Sequence, residues 1–411
     1  MQYRQKLTLI MIMLLSAFSW GGEVDSLVNQ LVDKGTLTAS EGREIATGTQ
    51  EEMKSLIAKG SHPYLPKWIQ TMKMKGDFRF RYQHEKKDGS TARDRERLRF
   101  RFGIESKVND SIKIVSGLAT GGTDPRSTNQ TLENNFEPKN INVDYCFTDI
   151  TLNDFFQLIG GKMKNPLWNA GDLLWDGDIN PEGVALVLSK NSLVENLDFE
   201  LNSTWLVLDE VSGSEDDPYM LVIQPVFKWS ITEDVTLKIG AAYYYYANVK
   251  GSRMDKTVGT NSGITKEGSS YTGSLIYKYD APKIDIDFGV NKISDFIPYA
   301  GVFGEYLKNS DPSSDNKGYL VGIKFGHEKV KEPMSWQFVW SQRKLEKDAC
   351  LDIFPDSDFY GGKTNVKGNE FIFNLGLSKN LTAGLDYYMT ENLSGTIHEE
   401  KVIQADLVFK F

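Results

Sequence analysis

Cysteine and histidine are scarce in this sequence, and their scarcity excludes several kinds of functional site. The two cysteines, Cys146 and Cys350, are too few for a disulfide framework or a cysteine-rich metal site, and whether they pair with each other is left open. The four histidines are scattered and share no metal-ligand spacing. A formal net charge of -9 is opposite to the basic surface that nucleic acid requires. We therefore expect no metal, no cofactor and no nucleic-acid partner.

Long apolar runs are also absent, apart from a short one at the amino terminus. The segment MQYRQKLTLIMIMLLSAFSW has a basic start and then an apolar run from Leu7 to Phe18. That run is too short to span a bilayer and is typical of a secretory signal, so we predict a signal peptide over residues 1–21. Because no later run is long enough for a membrane helix, an exported membrane protein with this sequence must be a closed barrel.

Catalytic motifs are missing as well. The sequence contains no G-x-S-x-G, and the glycine-rich stretches GGKMKNP and GLATGGTDP lack the spacing or the following helix of a phosphate-binding loop. Asp, Ser and His residues occur without any local signature of a catalytic group. We therefore predict that the protein is not an enzyme.

A helical pattern follows the predicted signal peptide. Apolar residues recur at helical spacing from Val24 to Val32, and Thr38 with Glu41 predicts a capping box for a second helix. Gly60 and two prolines after it end the pattern. We predict a short helical segment over residues 22–65, which is too poor in apolar residues for a long coiled coil.

From Lys73 onward, apolar and polar residues alternate with a period of two, which is the pattern of β-strands with one apolar face. Each segment is about ten residues long, as expected for a tilted strand that spans a membrane. The apolar positions of representative segments are Phe78/Phe80/Tyr82, Leu98/Phe100/Phe102, Ile141/Val143/Tyr145/Phe147, Leu197/Phe199/Leu201, Ile284/Ile286/Phe288 and Phe371/Phe373/Leu375.

The connections between these segments alternate in length. We predict short ones at 108–111, 152–155, 232–235, 280–283 and 378–381, and long ones at 84–94, 121–139, 165–181, 250–270 and 345–368. Short periplasmic turns and long external loops are typical of an outer-membrane barrel. The pattern gives about 17 candidate strands, but single-chain bacterial barrels have an even number, so we predict about 16 and place the ambiguity in 283–308. The predicted fold is an all-β, closed, antiparallel up-and-down transmembrane barrel over residues 66–411, with the helical segment in the periplasm.

The chain ends on a strand, VIQADLVFKF, whose alternate residues are apolar as far as Phe409 and Phe411. A barrel has no free edge only if its last strand pairs with its first. We therefore predict that this strand closes the barrel and brings Phe411 to the periplasmic rim.

Four stretches of the sequence, taken together, resemble the bacterial putative porin family: LVDKGTLTASEGREI, LPKWIQTMKMKGDFRFRYQ, LLWDGDINPEGVAL and DSDFYGGKTNVKGNEF. Phe409 and Phe411 resemble the signal that outer-membrane proteins present to their barrel-assembly machinery. The resemblance covers nearly the whole mature chain and implies a channel surrounded by outer-membrane lipid, with no particular solute. Porins of this size are usually homotrimers, by the same resemblance. Phosphate-selective porins are a more distant likeness, from which no residue is carried over.

In a barrel, the face opposite the apolar one lines the lumen. On the first two predicted strands this face carries five arginines, Arg79, Arg81, Arg97, Arg99 and Arg101. Facing lipid at the bilayer midplane would cost roughly 2–4 kcal/mol each, so we predict that these five, called here the arginine wall, line the pore and attract anions. The plainer alternative is that they only neutralise nearby acids such as Asp77 and Glu96.

Acidic residues face the predicted lumen elsewhere. By alternation these are Asp198, Glu200, Asp285 and Asp287, and the third long loop adds Asp172, Asp176, Asp178 and Glu182. Because this loop also contains two tryptophans, we predict that it folds into the lumen and turns its carboxylates towards the arginine wall. The resulting transverse field would orient polar solutes. Calcium binding by the loop and solvated surface acids are the two alternatives.

Together these patterns predict a porin of the outer membrane, a water-filled channel for passive diffusion of small polar or charged solutes. Two other interpretations stay open. One is a barrel whose lumen is plugged and whose role is structural or adhesive. The other is an outer-membrane barrel hydrolase, which would need an acid, a base and a nucleophile that converge near the rim.

Overall fold

The computed structural model describes residues 20–58, 67–213 and 215–411, which divide into one compact unit ending at Thr71 and a second that begins at Met72. Apart from its last two positions, the predicted signal peptide lies outside the described residues, as do the prolines expected to end the helical segment. No helix in the described ranges is long and apolar enough to cross a membrane.

The first unit consists of helices α1 (Trp20–Asp33), α2 (Ala39–Ala58) and α3 (Lys67–Gln70). The chain leaves α1 through Gly35, whose φ of 70° lies in the left-handed region that favours glycine. The Thr38 N–H donates to Glu41 Oε2 at 2.8 Å, and the Glu41 N–H donates to Thr38 Oγ1 at 3.3 Å, as the predicted capping box requires. Val28 is buried against Gly42 of α2, so the two helices form a packed hairpin.

The second unit is a closed antiparallel barrel of 16 strands, as predicted. The strands of its wall are β1 (Lys73–Lys87), β2 (Arg93–Lys107), β3 (Ile112–Thr120), β5 (Ile141–Thr151), β6 (Phe156–Lys162), β7 (Glu182–Val194), β8 (Leu197–Val207), β9 (Tyr219–Ser230), β10 (Val235–Ala247), β13 (Ala281–Asn291), β14 (Tyr299–Lys308), β15 (Lys317–Gly326), β16 (Trp336–Leu345), β17 (Val366–Ser378), β18 (Leu381–Asn392) and β19 (Glu399–Lys410). Three short strands lie outside this series: β4 (Gln130–Thr131), which pairs with β2, and the hairpin of β11 (Ile264–Glu267) and β12 (Ser270–Gly273).

The barrel is closed by pairing of β1 with β19, in a register that runs from Asp77 opposite Lys410 to Lys87 opposite Glu400. Side chains alternate across the wall. On β19, Ile403 is 39 % exposed on the outer surface, whereas Val402 and Gln404 on the inner side are 3 % and 1 % exposed. Because hydrocarbon cannot solvate unpaired amides or charges, the apolar face points outward and the polar face lines the lumen.

Four connections at one end of the barrel are long and carry most of the site described below. They are loop A (residues 121–140), loop B (163–181), loop C (248–280) and loop D (346–365). The opposite ends of the strands are joined by shorter turns, such as residues 108–111 and 195–196. The predicted alternation of long and short connections is therefore present.

Two of the predicted connections are wrong. The long loop expected at 84–94 is a short connection of residues 88–92, because β1 extends to Lys87 and β2 begins at Arg93. The short turn expected at 280–283 does not exist, because residues 281–283 begin β13 and residues 274–280 belong to loop C. The stretch 283–308, which had no clear loop in the sequence, holds two full strands joined by residues 292–298. A polar, aspartate-containing stretch at the end of a long loop had the composition of a turn, which explains the error.

Strand β5 also departs from its predicted face. Its register against β3 shifts between Gly117 and Leu118, where Gly117 is opposite Tyr145 and Leu118 is opposite Val143. Such a bulge adds one residue and reverses the alternation. Val143 stays on the outer surface at 59 % exposure, but Tyr145 is 7 % exposed and turns inward. The prediction that both lie on one apolar face is wrong.

Loops B, C and D pack into an apolar cluster with the inner side of the wall. Trp175 of loop B lies against Phe354 of loop D with ring centroids 4.7 Å apart, and Leu275 of loop C belongs to the same cluster. The wall residues in the cluster come from β7–β10 and β14–β19 and include Tyr244 and Leu320. Since these side chains are almost fully buried, this part of the barrel interior is filled.

Candidate functional site

The five predicted arginines lie on two paired strands with their side chains towards the lumen. In the register of β1 and β2, the opposite pairs are Arg79 with Arg99, Arg81 with Arg97, and Asp77 with Arg101. The residues between them, such as Phe78 and Phe80, are exposed on the outer surface. Like charges directly opposite each other are destabilising, so the arginine wall requires carboxylates nearby.

Two of these carboxylates lie on strands of the barrel and a third lies on a loop. Arg81 is 3 % exposed and donates to both oxygens of Asp406 at 2.7 Å and to Asp358 at 2.9 Å. Asp77 accepts from Arg99 at 2.8 Å. Asp406 of β19 and Asp358 of loop D neutralise Arg79 and Arg81, and Asp77 of β1 neutralises Arg99 and Arg101.

Arg101 and Arg97 have different surroundings from the other three arginines. Arg101 donates to Asp77 at 2.8 Å and to Asp178 of loop B at 3.4 Å, and its side chain is 32 % exposed. It lines a cavity of about 420 Å³. Arg97 takes part in no ion pair among the described residues and donates to the amide oxygen of Gln83 at 3.0 Å. The arginine wall therefore contains one well-exposed cation and one without a carboxylate partner.

A buried acidic cluster lies on the wall formed by β13 and β14. Asp285 and Glu305 are 0 % and 3 % exposed, and they flank Lys283, which is 1 % exposed. The Lys283 ammonium lies 2.5 Å from Asp285 and 3.4 Å from Glu305. Two carboxylates share one cation, so this acidic wall, defined by Asp285 and Glu305, needs further hydrogen-bond donors.

Loop B supplies those donors from its main chain. The N–H of Ala170 donates to Asp285 at 3.1 Å, and the N–H groups of Gly171 and Leu173 donate to Glu305 at 2.6 and 2.9 Å. Trp168 packs over β10 at Gly240, where any Cβ would lie only 2.8 Å from the indole ring. The loop therefore runs along the inside of the acidic wall.

The predicted carboxylates of loop B have separate partners. Asp172 pairs with Arg343 of β16, Asp176 accepts from the Ser357 N–H of loop D at 2.8 Å, Asp178 accepts from the Thr128 N–H of loop A at 3.1 Å, and Glu182 pairs with Lys162 at 2.8 Å. Of these four acids, Asp178 contacts the arginine wall, through Arg101. The other three carboxylates have partners elsewhere, and the role of the loop as a constriction stays a prediction.

The other predicted acids lie apart from loop B's carboxylates. Asp198 accepts from the Ser192 N–H at 3.0 Å, Glu200 accepts from Asn202 at 2.9 Å, and Asp287 pairs with Lys324 at 2.7 Å. Among the described residues, no group of three or more His, Cys, Asp or Glu side chains is placed to hold a metal ion.

Sequence reasoning missed several charged residues that organise the lumen, among them Asp358, Asp406, Arg343 and Glu305. Asp406 was detectable because it alternates with the apolar residues of the last strand. Arg343 was detectable by the same alternation on β16, where Trp340 and Phe338 are two positions apart on the other face. Asp358 lies in a loop without periodicity, so no sequence signal placed it beside Arg81.

Two loop carboxylates have shifted pKa values. Burial raises the pKa of Asp176 to about 7, and the charges of Asp178 and Asp358 act in the same direction against two N–H donors. Burial also acts to raise the pKa of Asp358, but the charges of Arg81 and Arg97 lower it below its usual range. The carboxylate at the arginine wall is therefore the more acidic of the two.

The carboxy-terminal residue is held at the barrel rim. The N–H of Phe411 donates to the Gly76 carbonyl at 3.0 Å, and the Gly76 N–H donates to the Phe411 carbonyl at 2.9 Å. The Phe411 ring lies 6.3 Å from that of Phe100, and Phe409 lies 6.2 Å from Phe78. The last residue thus completes both the ladder and the outer aromatic surface at the turn end of the barrel.

Comparisons with known proteins agree with this architecture. The family model described as "Putative porin" matches residues 87–274 and 276–411. The structure is similar to that of OprB from Pseudomonas putida, with 11% identity, coverage of 88% of this chain and 96% of that chain, and a TM-score of 0.53. It also matches OmpF from Salmonella typhi, with 10% identity, coverage of 83% and 97%, and a TM-score of 0.48. No curated protein matches the chain. The chain belongs to the putative porin family and is a porin barrel of the outer membrane.

Proposed function

We propose that the chain forms a water-filled channel for passive diffusion of small polar or charged solutes. The observation that carries this proposal is the fixed position of loop B, which lies inside the barrel between the acidic wall and Arg101. An internal loop that narrows a barrel with a polar lumen leaves a passage lined by charges of both signs. No catalytic group is proposed, because Asp285, Glu305 and the arginines of the wall other than Arg97 are occupied in ion pairs and main-chain hydrogen bonds.

The arginine wall and loop B together would create a transverse field at the narrowest level. Arg101 and Asp178 form a direct ion pair at 3.4 Å, Arg99 lies two positions from Arg101 on the same strand, and the passage would run beside this pair. Charges fixed on opposite sides of a low-dielectric passage focus field lines and raise the local concentration of counter-ions. Such a passage selects solutes by charge and by the orientation of their dipoles.

The test is single-channel recording of the purified protein in planar lipid bilayers, with ion selectivity measured from the reversal potential. We expect stable conductance, and we expect Arg99→Ala combined with Arg101→Ala to shift selectivity towards cations. Unchanged selectivity in the double variant would remove these arginines from the pore. Absence of any conductance would remove the channel function.

A second candidate function is a plugged barrel with a structural or adhesive role. The apolar cluster of loops B, C and D favours it, since Trp175, Phe354 and Leu275 fill part of the interior. The same recording separates the two, because a plugged barrel passes no current. We propose lipid and the barrel-assembly machinery as partners of either form, the latter through Phe409 and Phe411, and a homotrimer as the assembly of the channel.

A further inference from the structure

We propose that solutes move through the barrel along its β2–β7 side and pass two ion pairs, which together are called here the crossing. The cavity on the turn-end side of the crossing then binds small organic anions. The two pairs are Arg101 with Asp178 and Lys164 with Asp144. The proposal rests on the channel function proposed above and adds to it the position of the path and the charge class of the solute.

Three cavities follow one another on this side of the barrel. The first has a volume of about 360 Å³ and lies among loop residues that include Trp175 and Phe354. The second, of about 180 Å³, shares Lys162 and Asn180 with the first. The third, of about 420 Å³, shares Asp144 with the second and extends to the rim residue Phe411. The series therefore runs from the loop end of the barrel to the turn end.

The crossing separates the second cavity from the third. Asp178 lines the second cavity and accepts from Arg101, which lines the third. The Lys164 ammonium lies 3.3 Å from Asp144, and Asn180 donates to the other oxygen of Asp144 at 2.7 Å. Each pair joins a strand of the wall to loop B, so a solute that passes between the cavities must pass these four charges.

The bulge in β5 explains why this crossing exists. It turns Tyr145 inward next to Asp144, and the Tyr145 ring occupies a slot over Gly103 and Gly117, where any Cβ would collide with it. The Lys164 ammonium then lies 4.1 Å from the centre of the Tyr145 ring, a cation–π contact, while it also pairs with Asp144. Without the bulge, Tyr145 would face lipid and Lys164 would lose its platform.

The rest of the lumen offers less room. The apolar cluster fills the interior next to β7–β10 and β14–β19, and its fully buried members include Leu173 and Leu320. Next to it, the arginine wall is covered by loop D through Asp358 and by loop A through Asn129, which accepts from Arg79 at 2.5 Å. A further cavity of about 300 Å³ lies among β15–β19, but it shares no lining residue with the three cavities of the proposed path.

The charge of the third cavity selects anions. Four cationic side chains and two carboxylates line it: Lys75, Arg101, Lys164 and Lys410, against Asp77 and Asp144. Lys75 and Lys410 are exposed and belong to no ion pair among the described residues. Lysines without carboxylate partners beside an aromatic ring suit a small organic molecule that carries carboxylate groups.

The experiment measures reversal potentials in a KCl gradient for the full-length protein and three variants. Lys164→Gln removes the cation of the crossing, Lys164→Arg keeps it, and Lys324→Gln is the matched control. Lys324 pairs with Asp287 at 2.7 Å and faces the lumen from β15, away from the three cavities. We expect Lys164→Gln to lower the chloride-to-potassium permeability ratio roughly threefold, and Lys164→Arg and Lys324→Gln to keep the wild-type ratio.

Succinate serves as the probe of the anion site. Added at millimolar concentration, it should reduce the single-channel current of the wild type and of Lys324→Gln, and reduce that of Lys164→Gln less. An equal block of all three proteins overturns the anion site. A shift in selectivity as large in Lys324→Gln as in Lys164→Gln, or no shift in Lys164→Gln, overturns the path. A wild-type protein that conducts no current overturns the channel function itself, and this result is distinct from the other two.

Discussion

The arginine wall and the acidic wall are both buried sets of like charges, yet they are neutralised in different ways. Arg81 and Arg99 pair with carboxylates on neighbouring strands, Asp406 and Asp77. Arg81 also donates to Asp358 of loop D. Asp285 and Glu305 have one lysine between them and depend on main-chain N–H groups of loop B. One wall is therefore completed by strand register, and the other by a loop.

This difference shows what holds loop B inside the barrel. Carboxylates that accept several N–H groups bind the backbone of a loop whatever its side chains are, so the acidic wall fixes the course of residues 170–173. The side-chain contact of Asp178 with Arg101 is a single long bond by comparison. Loop B is thus a structural partner of the acidic wall, and it meets the arginine wall only at its far end.

The largest expected loss of stability comes from a substitution in the acidic wall. Glu305→Ala removes two main-chain hydrogen bonds to loop B and leaves Lys283 with one carboxylate partner, Asp285, and the amide oxygen of Asn169. Because a buried cation loses one of its two carboxylate partners, we expect the free energy of unfolding to fall by about 3–5 kcal/mol. Urea unfolding of the protein in detergent micelles measures it.

The matched control for that variant is Glu391→Ala on the outer surface, where Glu391 pairs with Lys367 at 2.8 Å and both side chains are substantially exposed. Exposed pairs contribute about 0–1 kcal/mol. If Glu305→Ala costs no more than this control, loop B is not held by the acidic wall.

The next effect is at the arginine wall. Arg81→Ala removes the bidentate contact with Asp406 and the bond to Asp358, which leaves both carboxylates short of donors in a buried place. Charged hydrogen bonds of this kind contribute about 1.5–3 kcal/mol, and since Arg79 stays within 3.4 Å of Asp406, we expect a loss of about 2–3 kcal/mol in the same unfolding experiment. A loss equal to that of Glu305→Ala would mean that loop D depends on the arginine wall as strongly as loop B depends on the acidic wall.

These two walls also show how far the sequence alone leads. Alternation predicts the inner face of their strands for Arg79, Arg81 and Asp285, because a strand has only two faces and lipid rejects charge, and their role in a conducting pore stays a prediction. It failed at Tyr145, since a one-residue bulge reverses every later position without any mark in composition.

Periodicity does not predict the ion-pair partners of these residues. That Asp358 lies beside Arg81, or that Asp172 lies beside Arg343, depends on the course of loops hundreds of residues away in sequence. The length and the tryptophans of loop B predict that it lies inside the lumen, but they do not predict which wall it follows. Main-chain donors leave no trace in the sequence, which is why Glu305 escaped notice although its neighbours on β13 were named.

A smaller effect, which depends on pH, is expected at Asp176, a carboxylate of loop B. The pKa of Asp176 rises on folding from 3.8 to about 7, so the folded protein takes up a proton and becomes less stable as pH rises between these values. We expect Asp176→Asn to flatten this decline between pH 5 and 8 by roughly 2 kcal/mol, as urea unfolding at several pH values would show.

The quantity to compare is the slope of the free energy of unfolding against pH. In Asp176→Asn the side-chain amide places an N–H donor where Asp176 now accepts from the N–H groups of Asp178 and Ser357, and this lowers stability equally at all pH values. Glu182→Gln, at the exposed first residue of β7 directly after loop B, should keep the wild-type slope. A slope in Asp176→Asn equal to that of the wild type would assign the pH dependence to another group.

The smallest effect is expected within the arginine wall itself, at Arg97. It forms no ion pair among the described residues and donates to the neutral Gln83, so Arg97→Ala removes a longer-range attraction to Asp358 and at the same time relieves the repulsion from Arg81 directly opposite. We expect a change in the free energy of unfolding within about 1 kcal/mol in either direction. A loss as large as that of Arg81→Ala would show that the five arginines act as one cooperative network, and the contrast between a wall completed by register and a wall completed by a loop would then no longer hold.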